Sequence, residues 1–233
     1  MRNKSKLYSI LLLFAVLVGF SGCEDDTTEN VSKVTTYATF EMTGDEVVSI
    51  VKGSTFTEPG IKALEGSTNL DVTSSVQFSP MPTPGFTMAQ AAYQEVSGVD
   101  TNKEGLYVIT YSATNSDGFP ATAERLVFVH PSAPDPTVDL SGNYRSGSSP
   151  ASVITKVADG VFFGTNIWGQ NSTVRISGYI MTVDGVTLSV PQQDTQTRIY
   201  GWGTRNGTTL NMKMSRPLFA PPLLDQTKDW VKQ

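Results

Sequence analysis

The chain has 233 residues, of which 39% are hydrophobic and only 17% are charged, with 20 glycines and 13 prolines. This length allows one large or two ordinary domains, and many turn-forming residues with few charges are typical of extracellular all-β proteins rather than long helices. The formal net charge is −5 at pH 7. Neither half carries the concentrated basic surface that nucleic-acid binding requires, so no nucleic-acid partner is expected.

Residues 1–22 have the pattern of a signal peptide, in which basic residues precede the apolar run 7–20. That run is shorter than the ~20 apolar residues of a membrane-spanning helix. It ends in Phe20-Ser21-Gly22-Cys23, which resembles the bacterial lipobox. Cys23 is the only cysteine, so it has no disulfide partner in the chain. The resemblance implies that Cys23 is acylated and holds the protein on a membrane.

Residues 23–33 are polar and begin with the acidic cluster Glu24-Asp25-Asp26, which predicts a flexible tether. The cluster resembles the export signal that Bacteroidota lipoproteins carry just after the acylated cysteine. This resemblance implies an outer-membrane lipoprotein that faces the cell exterior. A solvated run of charges is the alternative interpretation.

A proline-rich segment at residues 131–137 separates two predicted β-rich modules. Its three prolines fix backbone angles and remove hydrogen-bond donors, so strand pairing is expected to stop there. The first module then covers residues 34–130 and the second covers residues 138–233. We predict short strands in the first module at residues 37–41, 47–51, 61–64, 76–78, 106–113 and 122–129.

The first module resembles the bacterial immunoglobulin-like domains of Bacteroidota surface lipoproteins. The residues that carry this resemblance are Glu58-Pro59-Gly60, Asp71-Val72-Thr73 and Gly105-Leu106-Tyr107. It implies an immunoglobulin-like β-sandwich in which Tyr107 forms a tyrosine corner, its hydroxyl bonding back to the preceding loop. Domains of this kind are often spacers, so the resemblance transfers no binding residues.

The second module is predicted to be an antiparallel β-meander. Its strand pairs 153–157 with 161–163, 179–183 with 186–190, and 199–202 with 208–214 are separated by Asp-Gly or Asn-Gly turns. Such a meander closes either as a small barrel or as a sandwich, and the periodicity does not distinguish them. Residues 216–233 are expected to pack across the surface of the module.

The residues that catalysis would need are sparse. His130 is the only histidine and lies beside Pro131, where we expect a solvent-exposed strand end. No His/Cys metal cluster, catalytic triad or phosphate-binding loop can be assembled, so neither a metal nor a cofactor is expected. A pair of carboxylates for glycoside hydrolysis remains possible from spacing. We nevertheless predict a protein that is not an enzyme.

Large aromatic residues beside glycines and amides form the candidate ligand site of the second module. Trp168 and Trp202 have glycine neighbours, which predicts exposed indole faces suited to sugar rings or peptide side chains. The alternative is that these aromatics fill the core. The predicted ligand-binding residues are Trp168, Trp202, Tyr200, Asn166, Gln192 and Gln193.

Together, these features resemble the accessory, SusE-like surface lipoproteins encoded beside SusC/SusD-type uptake systems. The resemblance implies a non-catalytic protein that captures a glycan for a SusC/SusD-like transporter. A structural or peptide-handling subunit of such an outer-membrane complex is the alternative.

Overall fold

The structure is a computed structural model that describes residues 34–169 and 172–233. The predictions for the signal peptide, the tether and Cys23 lie outside these residues. Within them the fold is all-β, as predicted, and no helix has the length and apolar character needed to cross a bilayer.

Eight strands and one helical turn make up the first part of the chain. They are β1 (Thr39–Met42), β2 (Val47–Val51), β3 (Ile61–Glu65), β4 (Thr68–Leu70), β5 (Thr73–Pro80), α1 (Met88–Ala91), β6 (Gln94–Val96), β7 (Gly105–Thr114) and β8 (Pro120–His130). The six predicted strands are all present, whereas β4, β6 and α1 were missed. Each missed element is only three or four residues long, too short to show a period.

These strands form the two sheets of the immunoglobulin-like sandwich. The sheet orders are β1-β3-β4 and β2-β8-β7-β5-β6, and β2 runs parallel to β8. Alternate residues of β7 and β8, including Tyr107, Ile109 and Val127, face inward and are buried between the sheets. The Tyr107 hydroxyl donates to the carbonyl of Asp100 at 2.7 Å. The predicted tyrosine corner is therefore confirmed.

The second part of the chain contains eight further strands. They are β9 (Gly142–Arg145), β10 (Ser152–Ala158), β11 (Val161–Gly164), β12 (Gly178–Met181), β13 (Thr187–Asp194), β14 (Arg198–Asn206), β15 (Thr209–Arg216) and β16 (Leu223–Lys232). Neighbours along the chain pair antiparallel, and β9 pairs with both β10 and β16, so the sheet closes as a barrel. The choice that periodicity left open is thus resolved.

Closure of the barrel corrects the prediction for the C-terminal tail. Residues 223–232 do not lie across the surface but form β16, the strand that pairs with β15 and β9. In β16, Trp230 is opposite the buried residue Leu210 and is itself only 2% exposed. The tail is a strand because its inward-facing side chains complete the core of the barrel.

The glycines beside Trp202 face the interior of the barrel, where they leave space for larger side chains. Gly201 and Gly203 are paired with Met214 and Met212, whose side chains are buried in the core. A Cβ at Gly201 would lie 2.5 Å from the Met214 sulfur, and one at Gly203 would lie 2.7 Å from the Met212 sulfur. Because neighbouring residues in a strand point to opposite faces, these glycines make room for methionines and do not uncover the indole.

The sandwich and the barrel share an apolar interface, and residues 37–233 form one compact unit. Leu106, Val108 and Phe128, on the outer face of the five-stranded sheet, pack with Val161 and Met181 of the barrel. One face of this sheet is therefore covered by the β1-β3-β4 sheet, and part of the other face is covered by the barrel. The immunoglobulin-like domain is built into the unit that carries the barrel rather than hanging from it as a loose spacer.

Candidate functional site

Trp202 lies on the outer face of the barrel, on strand β14. It is paired with Ser189 of β13 and Lys213 of β15, and its side chain is half-buried. A groove of about 360 Å³ runs past it. The residues that line the groove are Met81, Pro82, Thr83, Pro84, Thr187, Leu188, Ser189, Trp202, Gly203, Thr204, Asn211 and Lys213.

One wall of the groove comes from the immunoglobulin-like domain. Residues 81–84 follow β5 and contain two prolines, which restrict the backbone. The Ser189 hydroxyl donates to the Pro82 carbonyl at 2.8 Å, and Phe86 N–H donates to the Thr83 carbonyl at 2.9 Å. These bonds hold the wall against β13, so the groove depends on both domains.

Polar side chains form the opposite wall on strand β15. Lys213 Nζ donates to Thr227 Oγ1 at 2.6 Å, and Asn211 Nδ2 donates to Asp229 Oδ1 at 3.1 Å. Both Lys213 and Asn211 are exposed, and each has more hydrogen-bonding capacity than these single bonds use. The groove therefore combines an indole face with donors and acceptors held in place on a strand.

Trp168 is not exposed, so that prediction was wrong. Only 4% of the residue is accessible, and it packs in the barrel core. Its glycine neighbour is packed as well, since a Cβ at Gly169 would lie 2.6 Å from the Trp230 ring and 2.7 Å from the Ser146 side chain. Glycine here permits close packing rather than exposure.

Tyr200 and Asn166 are also buried, each being 1% exposed. The Tyr200 ring lies 6.1 Å from that of Phe86, edge to face, between the barrel and the sandwich. Asn166 Nδ2 donates to the Pro150 carbonyl at 3.0 Å, and its Oδ1 accepts from the N–H groups of Trp168 and Ile176. Both residues hold the protein together, which removes them from the candidate surface.

Gln192 and Gln193 are 2% and 3% exposed. Gln193 Oε1 accepts from Tyr179 N–H at 2.6 Å, and its Nε2 donates to the Tyr179 carbonyl at 2.9 Å. The amide side chain thus replaces the backbone pairing where β12 and β13 diverge. Gln192 N–H donates to the Ser79 hydroxyl at 2.7 Å, which ties the barrel to the sandwich. Neither residue lies at the Trp202 groove.

A second, larger cleft of about 500 Å³ lies between the two domains. Two of its charged groups pair with each other, since Arg198 Nη2 lies 3.1 Å from Asp194 Oδ2, and the guanidinium lies 5.2 Å from the Tyr93 ring centroid; Glu124 also lines the cleft. Burial, and then the Asp194 charge, raise the pKa of Tyr93. The hydroxyl therefore stays protonated at neutral pH.

The prediction of an exposed His130 was wrong. The residue is fully buried, and neither ring nitrogen has a hydrogen-bond partner among the described residues. It lines a cavity of about 150 Å³ with Met81 and Met181, at the contact between the domains. Within residues 34–169 and 172–233, no group of three metal-ligating His, Cys, Asp or Glu side chains occurs.

One comparison with known proteins, a match to a family model, agrees with the fold of the first domain. A family model described as bacterial surface protein, Ig-like domain matches residues 90–129. The chain is also similar to the lipoprotein BT2262 from Bacteroides thetaiotaomicron, for which a crystal structure is known. The two sequences are 21% identical. That similarity covers 84% of this chain and 100% of the other, with a TM-score of 0.33. No curated protein matches this sequence.

Proposed function

We propose that this chain is a non-catalytic surface lipoprotein that binds a glycan in the groove at Trp202. The observation that carries the proposal is a half-exposed indole beside a strip of hydrogen-bonding side chains, held on adjacent barrel strands. The match of residues 90–129 to a bacterial surface immunoglobulin-like domain supports a location at the cell surface.

The chemistry of the groove suits a sugar ring. A pyranose has an apolar C–H face that can lie on an indole, and hydroxyl groups around its edge that need donors and acceptors. Trp202 supplies the flat face, while Asn211, Lys213 and Thr204 supply polar groups beside it. The paired charges of the interdomain cleft make that site the weaker candidate, because a ligand there would have to break an existing ion pair.

Replacing Trp202 with alanine is expected to abolish retention of the full chain in polysaccharide affinity gels. Loss of a half-exposed indole removes about 1.5 kcal/mol or more of apolar contact, which weakens binding about tenfold or more. Because the indole is half-buried, the unfolding midpoint should fall moderately, and circular dichroism should show that the variant keeps its β-fold. Phe119→Ala is the matched control, because Phe119 is also an exposed aromatic residue, 46% accessible, but lies in the β7–β8 turn.

Retention of the Phe119→Ala protein should equal that of the wild type across the glycan panel. If Trp202→Ala is retained as strongly as the wild type, the groove is not the binding site. If no glycan in a broad panel retains the wild type, the ligand class is wrong.

The proposal includes a lipid anchor at Cys23 and delivery of the glycan to a SusC/SusD-type transporter. We expect the chain to co-purify with a large outer-membrane transporter in mild detergent, and Cys23→Ser to abolish both this association and membrane attachment. Co-purification without any glycan retention would favour the alternative, a structural or peptide-handling subunit. Membrane attachment that survives Cys23→Ser would contradict the anchor.

A further inference from the structure

Two basic side chains lie at one end of the barrel, against Trp168. Lys228 of β16 is paired with the buried residue Met212, so its side chain points into the barrel, and it is only 6% exposed. Lys228 Nζ lies 4.2 Å from the Trp168 ring centroid, and the guanidinium carbon of Arg216 lies 5.4 Å from it. Both cations therefore contact the same indole.

No carboxylate of the part of the chain that the structure describes pairs with these two charges. Within the described residues neither Lys228 nor Arg216 forms an ion pair, and Arg216 Nε is buried without a hydrogen-bond partner. The nearby acidic residues of β16 are engaged elsewhere, because Asp225 bonds to Ser215 and Asp229 accepts from Asn211. Burying cations without an anion is costly, and their contact with one ring compensates only part of that cost.

A further unsatisfied donor points to the same end. The Trp230 indole N–H is buried without an acceptor among the described residues, and Trp230 lies on the same face of β16 as Lys228, two residues along. Burial, and then the positive charge of Arg216, lower the pKa of Lys228. The cluster thus presents positive charge and an orphaned N–H group, with no acceptor for them among the described residues.

The cluster also reaches the protein surface. Arg216 lies between Trp168 and Phe219, with its guanidinium carbon 4.7 Å from the Phe219 ring centroid. Phe219 is 43% exposed. Arg216 is therefore the member of the cluster that contacts an exposed side chain, on the side where a small group would have to approach.

We propose that Lys228 and Arg216 form a binding site for an oxyanion, a carboxylate or sulfate group, at this end of the barrel. The guanidinium can donate two parallel hydrogen bonds to such a group, and the ammonium supplies a second charge beside it. Trp168 and Phe219 provide apolar surface against which the rest of an acidic ligand can lie. This site is separate from the groove at Trp202, which is on the outer face of the barrel.

Thermal unfolding of the full chain tests the site directly. We expect sodium glucuronate and sodium sulfate to raise the unfolding temperature more than sodium chloride does at equal ionic strength, because a ligand bound only by the folded state stabilises it. Sulfate also stabilises proteins generally, so the contribution of the site is the part of the rise that Lys228→Met loses. Sodium phosphate is the third probe. The proposal would be overturned if none of these salts raised the unfolding temperature of the wild type more than chloride does. It would also be overturned if phosphate were the only one that did.

Lys228→Met is the informative variant, because methionine keeps the apolar stem and removes the charge. We expect it to raise the unfolding temperature in chloride, since a buried unpaired cation is gone, and to weaken the oxyanion response about tenfold or more. Lys62→Met, which removes an exposed lysine from β3, should change neither quantity. Arg216→Met should also weaken the response.

A purely structural role for Lys228 predicts the opposite result. The Lys228→Met protein would then melt at a lower temperature and keep the wild-type response to glucuronate and sulfate. The Trp202→Ala protein should keep the full oxyanion response, so failure at one site is distinguishable from failure at the other.

Discussion

Replacing Arg125 with methionine is expected to destabilise the chain by about 2–4 kcal/mol, through the loss of several hydrogen bonds from a charged group. Arg125 is fully buried on β8, and its Nε lies 3.1 Å from Glu58 Oε1. Its guanidinium also donates to the carbonyl oxygens of Thr43, Asp45 and Gly60. Methionine removes the buried donor that joins these three carbonyls and Glu58, so the segments that carry them lose their shared contact, although Gly60 N–H still donates to Glu58.

Urea unfolding of the full chain measures this effect. The control is Lys52→Met, which removes a partly exposed ion pair between Lys52 and Glu104 in the same domain, 2.8 Å long. Such pairs contribute about 0–1 kcal/mol. If the two variants lose stability to the same small degree, Arg125 does not hold these loops together as described.

The second large effect is expected from acid, through His130. Burial lowers the pKa of His130 from the ordinary 6.5 to about 4. The unfolded chain therefore binds the proton more readily between these pH values, so stability is complete above pH ~6.5 and falls as the pH drops toward ~4. The full difference amounts to about 3 kcal/mol.

His130→Phe should remove this loss, since phenylalanine suits a cavity shared with Met81 and Met181 and carries no titrating group. Asp184 also lines the cavity; burial raises the pKa of its carboxyl, but hydrogen bonds from Thr187, Val186 and Thr182 outweigh this and lower it below its ordinary value. Free energies of unfolding measured from pH 7 down to ~4.5 should fall in the wild type and much less in the variant. Equal slopes would mean that His130 titrates in the folded state as it does in solution.

The fold of the first domain follows closely from local pattern. Strand β7 and its partner β8 were predicted from alternation and turn residues, because both signals act over a few residues. The Glu58-Pro59-Gly60 motif has a physical explanation in the structure. Glu58 pairs with Arg125 and accepts from Gly60 N–H, while Gly60 has a φ of +100° that favours glycine.

The sequence of β7 contains a pattern that indicates the contact between the domains, but the strand prediction used only its alternation. Along β7, the residues on the outer face change from Leu106 and Val108 to Thr110 and Ser112. The apolar pair marks the part of the sheet that the barrel covers, and the polar pair lies beyond it. An exposed sheet face would be polar throughout.

The candidate site was predicted only in part. Trp202 lies in a groove, but the reason given for its exposure was wrong, because Gly201 and Gly203 face the opposite side of the strand. The groove wall at residues 81–84 and the pairing of β9 with β16 join segments far apart in sequence. Local periodicity carries no information about such contacts. The burial of Trp168 and His130 depends on the same long-range packing.

A crystal structure of the chain with an oligosaccharide cut from a retained polysaccharide tests the central claim most directly. We expect one sugar ring to lie on the exposed face of the Trp202 indole, with its hydroxyls bonded to Asn211 and Lys213. An oligosaccharide bound between Tyr93 and Arg198 in the interdomain cleft, with the indole uncovered, would contradict it.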